Sequence, residues 1–383
     1  MQAAHHGELR NLMNKIDQEF LKAYFARYKR ALRTSDFTGL MKFRDLSEQV
    51  RDKGNKLIFA GNGASASISS HAATDFTQHA KVRTVCFNDH NLITAFSNDY
   101  GYSNWVARAL ESYADNGDLV VLISSSGKSS NIINASQYAR EHNLEVVTFS
   151  GFAPDNPLRK KGLLNFWVDS HAYNVVESVH LIWVLAVANL LGQPDKNADF
   201  IQNHFMDYEH ALFETDYSGK LVKFRDLCRN VCEKGGKMIF AGNGGSASIA
   251  SHAATDFTKQ SKVRTVGFND HNLISAFSND YGQEHWIEQC IDAYADPDDA
   301  VVLISSSGQS KNVINAASMA RQKGLPVVTF SGCDSENSLR KLGDENFWVD
   351  SRNYNVTEAV HAVLICCVVD MLIGKAEYAT SDP

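Results

Sequence analysis

The residues best suited to proton transfer are two histidine–aspartate pairs at helical spacing. His71 and Asp75 stand four residues apart in "SHAATDF", and His252 and Asp256 repeat the pair within the same seven letters. Residues at positions i and i+4 share one face of a helix, so each imidazole would lie beside its carboxylate. A carboxylate and a histidine that face one substrate can act as general base and general acid.

A second kind of pair joins a glutamate to a histidine three residues later. If the helices that carry the two kinds of pair face each other, each site gathers two imidazoles and two carboxylates, ligand types that suit a divalent ion such as zinc. The alternative is that these histidines are hydrogen-bonded interior residues. The candidate metal ligands are His71, Asp75, Glu177, His180, His252, Asp256, Glu358 and His361.

Two loops of small polar residues in each half are candidates for binding a phosphate. In the first half, "GNGASAS" (Gly61–Ser67) and "SSSGKS" (Ser124–Ser129) each follow an expected strand and open an expected helix. The N-terminus of a helix offers free N–H groups and partial positive charge, and ligands of open α/β sheets bind at the carboxyl ends of strands. We expect a phosphate cradle rather than mere tight turns. The match of "GNGASA" to a dinucleotide fingerprint is weak.

The segments that carry these loops alternate between strand and helix. Short, apolar, β-branched runs are typical of strands buried on both faces of a parallel sheet, and helical stretches such as Ser129–Asn143 lie between them. The pattern predicts an α/β fold with a five-stranded parallel sheet flanked by helices. The expected strands of the first half are Lys56–Ala60, Arg83–Phe87, Leu119–Ser124, Glu145–Ser150 and Asn165–Asp169.

The whole body of the chain is written twice with a period of 181 residues. "FNDHNLITAFSNDYG" from Phe87 returns as "FNDHNLISAFSNDYG" from Phe268, and the serine loops repeat at the same offset. A period this long indicates a tandem domain duplication rather than a solenoid. We expect domains at residues 1–195 and 196–383, joined through the turn-rich segment Gly192–Ala198.

Composition excludes several classes of protein. The 383 residues carry a net charge of −7, so no basic field points to nucleic acid or to an anionic membrane. The seven cysteines form no Cys-x-x-Cys pair, and the first residues lack the apolar core of a signal peptide. The longest apolar run, Leu181–Leu191, is about half of the roughly 20 residues that a membrane span needs. We expect a cytoplasmic protein with no nucleic-acid or membrane partner.

Taken together, the paired loops resemble those of the sugar isomerase (SIS) domain, and more narrowly those of the sedoheptulose 7-phosphate isomerase (phosphoheptose isomerase) family. The resemblance covers nearly all of each half. It implies tandem SIS domains, a phosphorylated sugar as partner, and aldose–ketose isomerisation through an enediol. Because family members are typically tetramers, two domains in one chain resemble half of such an assembly, which implies a homodimer.

The resemblance also implies roles for individual residues. The serine loops would hold the phosphate, the Asn-Asp pair of "SNDYG" would contact the sugar, and Asp75 and Asp256 would stand at the position of the family's base. Because the family's catalytic histidine is replaced here, His180 and His361, or a metal-bound water, would have to act as the acid. The residues implied to bind substrate are Asn62, Ser65, Asn98, Asp99, Ser124, Ser126, Ser129, Asn243, Ser246, Asn279, Asp280, Ser305, Ser307 and Ser310.

Departures from the family pattern keep two alternatives open. The family's catalytic histidine is replaced by Leu185 and Cys366, and its glutamate base by the shorter aspartate. Leucine cannot transfer a proton, so one alternative is a non-catalytic phosphosugar-binding or protein-binding SIS module. The other is that one copy is catalytic and the other structural. The differences between the copies include Ala64 against Gly245, Lys128 against Gln309, and His171 against Arg352.

Overall fold

A computed structural model of the protein describes residues 2–192 and 198–377, with side chains for residues 15–192 and 200–377. Its elements follow the alternation of strand and helix that the sequence predicts. The strands form two sheets of five, and every hydrogen-bonded pair of neighbouring strands is parallel.

The first sheet has the strand order β2-β1-β3-β4-β5. The chain runs outward from β1 to the edge strand β2 and then returns to form β3 on the other side of β1. The carboxyl ends of β1 and β3 therefore flank a topological switch point, where open α/β sheets bind their ligands. The strands are β1 (Lys56–Ala60), β2 (Arg83–Cys86), β3 (Leu119–Ser124), β4 (Glu145–Ser150) and β5 (Leu164–Trp167).

Helices cover both faces of this sheet. The helices of the first half are α1 (Gln2–Arg33), α2 (Phe37–Asp52), α3 (Ala64–Gln78), α4 (His90–Tyr100), α5 (Trp105–Tyr113), α6 (Ser130–Glu141) and α7 (Tyr173–Gly192). Helices α4, α5 and α6 share an apolar core with one face of the sheet, and α2 and α3 pack on the other face, where α7 packs against both. The cap residue Asp36 sets the start of α2, since its carboxylate accepts a hydrogen bond from the Gly39 N–H at 2.9 Å.

Phenylalanines fill the core on the α2–α3 side. Phe43 of α2 lies 6.0 Å from Phe149 of β4 between ring centres, and Phe149 stacks on Phe166 at 4.7 Å. Phe59 and Phe76 extend the same cluster. Full burial of each such ring stabilises the fold by roughly 1.5–3 kcal/mol, so this cluster is a main anchor of α2 and α3 on the sheet.

The second sheet repeats the design with the equivalent order β10-β9-β8-β6-β7. Its strands are β6 (Met238–Gly242), β7 (Thr265–Gly267), β8 (Ala300–Ser305), β9 (Val327–Ser331) and β10 (Glu345–Trp348). The helices of the second half are α8 (Ala198–Phe213), α9 (Ser218–Glu233), α10 (Gly245–Lys259), α11 (His271–Tyr281), α12 (Trp286–Tyr294), α13 (Lys311–Gln322) and α14 (Tyr354–Ile373).

The chain divides into two compact units. The first-sheet unit comprises Thr34–Tyr208 with Asn243–His252, and the second-sheet unit comprises the described residues of Met1–Arg33, Glu209–Gly242 and Ala253–Pro383. The predicted domains 1–195 and 196–383 stay a prediction, because their boundary and residues 193–197 of the predicted linker lie outside the described residues.

Helix α1 belongs to the second-sheet unit, although it opens the first half of the sequence. It packs against α9 and α14 and buries Leu21, Tyr24 and Tyr28. Asp17 forms an ion pair with Arg225 of α9, and their side chains are only 13% and 5% exposed. These contacts of α1 are made with residues of the second sequence repeat.

Helices α7 and α14 are the most apolar elements of the chain. Both have 20 residues and are long and apolar enough to cross a membrane. The uninterrupted apolar run Leu181–Leu191 is therefore shorter than the apolar helix that contains it. In each helix 89% of the most apolar window is buried inside the protein, as in the core helix of a soluble domain.

Candidate functional site

The serine loop of the first-sheet unit connects β3 to α6. Ser124 ends β3, Ser129 occupies the N-cap of α6, and their hydroxyl oxygens lie 3.0 Å apart. The hydroxyl of Ser126 accepts a hydrogen bond from the Lys128 N–H at 3.2 Å. The structure thus brings three of the predicted phosphate ligands together in one six-residue turn, at the start of a helix where an anion is favoured.

A glycine fixes the shape of this loop. Gly127 has φ +65°, and a Cβ there would lie 1.9 Å from Oδ1 of Asn156. Asn156 is buried and donates hydrogen bonds to the carbonyl oxygens of Gly151 and Ala153. The backbone at Gly127 passes close to the Asn156 side chain, which its hydrogen bonds hold in place. No side chain therefore fits at position 127.

The loop after β1 lies beside the serine loop. Asn62 and Asn131 of α6 exchange hydrogen bonds through their side-chain amides at 2.9–3.0 Å, and the Tyr102 hydroxyl donates to Oδ1 of Asn62 at 3.1 Å. Ser65 lies in the first turn of α3 and is buried. Asn62 therefore ties the loop after β1 to the first turn of α6, the helix that follows the serine loop.

The Asn-Asp pairs lie apart from these bonds. Asn98 and Asp99 are exposed near the end of α4, where the Asn98 amide donates to the Asp99 carboxylate at 2.9 Å. Asn279 and Asp280 repeat the bond at the end of α11. Helices α4 and α11 have no fully buried residue, so both pairs project from partly exposed helices.

The predicted acid–base residues of α3 and α7 are buried. His71 and Asp75 are 1% and 4% exposed, with Nε2 and Oδ2 3.8 Å apart, and α3 packs against α7. The Ser125 hydroxyl donates to Oε1 of Glu177 at 2.9 Å. This bond ties the serine loop to the carboxylate of α7, and Ser125 was not among the predicted site residues.

Glu177 faces a histidine from the other sequence repeat. Its Oε2 lies 3.7 Å from Nε2 of His252, and both residues belong to the first-sheet unit. Among the side chains that the structure describes, no three candidate ligand atoms within 4.8 Å of one another include Glu177, His180 or His361. The predicted four-residue ligand sets are therefore not assembled as the sequence pattern implied, since the chain pairs Glu177 across the repeat.

His180 and His361 occupy the interior. Each is fully buried, and each Nε2–H donates to a main-chain carbonyl, that of Ser150 at 3.0 Å or that of Ser331 at 3.1 Å. Burial lowers the pKa of His180 to about 4 and that of His361 to about 4. Both imidazoles are neutral at pH 7, which is the interior-histidine arrangement that the sequence left open.

The serine loop of the second-sheet unit repeats the first. The Ser305 hydroxyl donates to Ser310 at 3.0 Å, and Ser307 accepts from the Gln309 N–H at 3.2 Å. The Ser306 hydroxyl donates to Oε1 of Glu358 at 2.9 Å. The predicted residues Asn243 and Ser246 of the second repeat lie in the turn after β6 and the first turn of α10, a segment that belongs to the first-sheet unit.

The second-sheet unit also places a thiol beside a carboxylate. Sγ of Cys366 lies within 4.8 Å of a carboxylate oxygen of Asp256, and both residues are buried. In the first repeat the position of Cys366 is held by the buried Leu185. Candidate metal ligands thus lie close together in both units, and imidazole, carboxylate and thiolate groups match the preferences of zinc.

Comparison with known proteins identifies the fold family. The SIS domain model matches residues 20–151 and 205–332. The phosphoheptose isomerase of Helicobacter pylori (strain P12) is 29% identical over 182 residues, which cover 45% of this chain and 94% of that protein. That of Solidesulfovibrio magneticus is 34% identical over 175 residues, which cover 43% of this chain and 85% of that protein.

A solved structure resembles the whole duplicated fold. The C-terminal domain of glucosamine-fructose-6-phosphate aminotransferase from Francisella tularensis aligns with 92% of this chain and 94% of its own, with a TM-score of 0.60 and 14% identity. At that identity the likeness concerns the fold alone. Because the family model matches more than half of the chain, once in each repeat, this chain belongs to the SIS domain family and carries two such domains in tandem.

Proposed function

We propose that the protein is a sugar-phosphate aldose–ketose isomerase of the phosphoheptose isomerase type. The observation that carries the proposal is the serine loop, whose hydroxyls cluster at the start of α6 while Ser125 bonds to the buried Glu177. A phosphate held by this loop would place its sugar chain near buried acid–base groups. The relatives named phosphoheptose isomerase support the same reaction class.

The reaction moves a proton between adjacent carbons. A base removes the proton next to the carbonyl group, the electrons form an enediol, and the proton returns to the neighbouring carbon while the two oxygens exchange a proton. We assign the base to Asp75 and Asp256. The acid role predicted for His180 and His361 remains a hypothesis, and their hydrogen bonds to Ser150 and Ser331 count against it.

We further propose that the site uses a divalent ion, with zinc as the best match to the ligand types. Such an ion would polarise the carbonyl oxygen of the open-chain sugar. The residues that would hold it are the buried pairs His71 with Asp75, His252 with Glu177, and Asp256 with Cys366.

The test is NMR of sedoheptulose 7-phosphate incubated with the full chain. We expect the aldose to appear, and we expect Asp75→Asn with Asp256→Asn to reduce turnover by at least 100-fold, the lower range for loss of a general base. Asp52→Asn, which removes a carboxylate from the exposed end of α2, is the matched control. Turnover that survives the double change would overturn the assignment of the base.

The same assay tests the metal. Chelation should stop turnover and zinc should restore it, and the zinc content of the isolated protein should fall in His71→Ala with His252→Ala. Full turnover in metal-free protein would remove the ion from the proposal while leaving the isomerase reaction in place.

A phosphosugar-binding module without turnover is the second candidate. Leu185 favours it, because a buried leucine occupies the position of the family's catalytic histidine. Signals of the sugar that broaden without any product, in a screen of several sugar phosphates, would support this candidate against the isomerase.

We also propose that the chain forms a homodimer, as the resemblance to a tetrameric family implies. The exposed tyrosines 100 and 281 at the ends of α4 and α11 offer apolar surface for such contacts.

A further inference from the structure

The two serine loops share a backbone but differ in one side chain at their centre. Gly127 and Gly308 have φ +65° and +63°, and each would clash with an asparagine if it carried a Cβ. The distances between the paired serine hydroxyls are 3.0 Å in both loops. The next residue is Lys128 in the first loop and Gln309 in the second, so a cation stands in one loop only.

The side chain of Gln309 is already engaged. Its Oε1 accepts a hydrogen bond from the Ser338 hydroxyl at 3.0 Å. The residue that corresponds to Ser338 in the first repeat is Pro157, which has neither a hydroxyl nor an N–H to donate. The two repeats therefore differ at two positions together. In the second repeat Gln309 is hydrogen-bonded to Ser338, whereas the first repeat has Lys128 and Pro157 at these positions, and the proline side chain cannot form such a bond.

Lys128 is free to meet a ligand. It is exposed, and among the side chains described for the chain none forms a hydrogen bond or ion pair with its ammonium group. It stands between Ser126 and Ser129, two predicted phosphate ligands. A lysine on a flexible stem serves as a point charge for phosphate.

The nearest lysine of the second loop is neutralised. Lys311, two residues after Gln309, forms an ion pair with Glu284 at 2.8 Å. Glu284 is held in turn, because its carbonyl oxygen accepts a hydrogen bond from the Asn315 amide. The positions that correspond to Lys311 and Glu284 in the first repeat are the serines 130 and 103. Lys311 and Glu284 thus pair with each other beside the second loop, whereas serines stand at both positions beside the first loop, where Lys128 is the added cation.

We propose that Lys128 determines the phosphate affinity of the first serine loop and makes the two loops unequal in binding sugar phosphates. The inference rests on the proposed function and deepens it, since it assigns different strengths to the two copies. A phosphate carries close to two negative charges at neutral pH. Its attraction to a solvent-exposed ammonium group falls with ionic strength, so the first loop should be the salt-sensitive one.

The experiment measures binding of sedoheptulose 7-phosphate by calorimetry in the Asp75→Asn, Asp256→Asn protein, so that no turnover interferes. We expect two classes of site, about tenfold apart in affinity at low salt and closer together in 0.5 M salt. Lys128→Gln should leave only the weaker class. Gln309→Lys with Ser338→Pro, which rebuilds the first loop in the second repeat, should leave only the stronger class.

The control is Lys53→Gln, which removes the same charge just before β1, at the opposite end of the sheet from the loop. Thermal unfolding checks that each variant is folded. If Lys128→Gln changes neither affinity nor salt dependence while Ser124→Ala with Ser129→Ala weakens binding, the inference is wrong and the phosphate loop stands. If the serine changes also leave binding intact, the proposed function loses its phosphate site.

Discussion

At the scale of single residues, the fully buried His180 and His361 are held neutral by the fold. A pKa of about 4 in the folded protein lies below the ordinary value of 6.5, so the unfolded chain binds more protons between these two values. The free energy of unfolding must therefore fall as the pH is lowered from 6.5 towards 4, and it is unaffected by these groups above 6.5. His204, whose pKa burial also lowers to about 4, acts in the same direction.

This behaviour gives a prediction for His180→Gln. The glutamine amide can still donate to the Ser150 carbonyl but cannot titrate, so the free energy of unfolding should depend less steeply on pH. The slope between pH 4 and 6.5 should drop by up to about 1.4 kcal/mol per pH unit. Urea unfolding at pH 5.0, 6.0 and 7.5 measures it.

His361→Gln offers a matched replicate in the second-sheet unit. A slope equal to that of the unmodified protein in both variants would mean that these imidazoles are not the groups that take up protons.

Sequence reasoning found most of the polar residues of the candidate site but not all of their partners. The serine loops were predicted because two polar, small-residue loops in each repeat follow a strand and open a helix, where a phosphate is favoured. Ser125 and Ser306 were missed as hydrogen-bond donors to Glu177 and Glu358. The sequence does not show which serine of a run directs its hydroxyl towards the glutamate. Cys366 was noted only as a departure, since its closeness to Asp256 depends on the packing of helices from distant parts of the chain.

At the scale of elements, the strands followed their predicted bounds closely. β1, β3 and β4 coincide with the predicted runs, and β5 begins one residue earlier and ends two residues earlier. Central strands of a parallel sheet are buried on both faces, so their apolar character is unbroken and easy to locate. The edge strand β2 is partly exposed and ends one residue before the predicted bound, as expected where only one neighbour holds the strand.

The ion pair between α1 and α9 gives a prediction about the stability of the second-sheet unit. Asp17→Asn removes the charge that pairs with the buried Arg225, and Asp226 remains as the only partner of that guanidinium group among the described residues. We expect the second-sheet unit to lose about 1.5–3 kcal/mol of stability, as for a hydrogen bond to a charged group. Hydrogen exchange of the peptides that contain β6 to β10 measures the loss.

The matched control is Glu377→Gln, which breaks a more exposed ion pair of α1, the one with Arg27. Those side chains are 51% and 40% exposed, so the loss should stay below about 1 kcal/mol. Equal effects of the two changes would show that the contact of Asp17 does not anchor the helix.

At the scale of the whole molecule, duplication explains both the success and the limit of the sequence argument. The period of 181 residues predicts two alike sheets, and both are found with the same strand order. The same likeness makes the partners of each helix ambiguous, because α1 and α8 correspond in the two repeats and either could pack on either sheet. Only three-dimensional packing assigns α1 to the second-sheet unit and Glu177 to His252.

The proposed homodimer is tested at this scale by light scattering. The chain has a mass of 42.4 kDa, so we expect twice that value for the species in solution. Tyr100→Glu with Tyr281→Glu should shift the mass to that of one chain, whereas Tyr113→Glu, which is equally exposed but lies at the end of α5, should not. A single-chain mass for the unmodified protein would refute the dimer.

The placement of α1 has a consequence for the order of events during synthesis. Asp17 leaves the ribosome 208 residues before its partner Arg225. At roughly 5–20 residues per second, translation of that interval takes roughly 10–40 s. Throughout this time the apolar side chains of Leu21, Tyr24 and Tyr28 have no native partner on α9 or α14, while the first sheet can already be complete. Helix α1 is thus made before the first sheet but packs in its native position only after the second repeat is made, so its apolar side chains must be kept from non-native contacts during that interval.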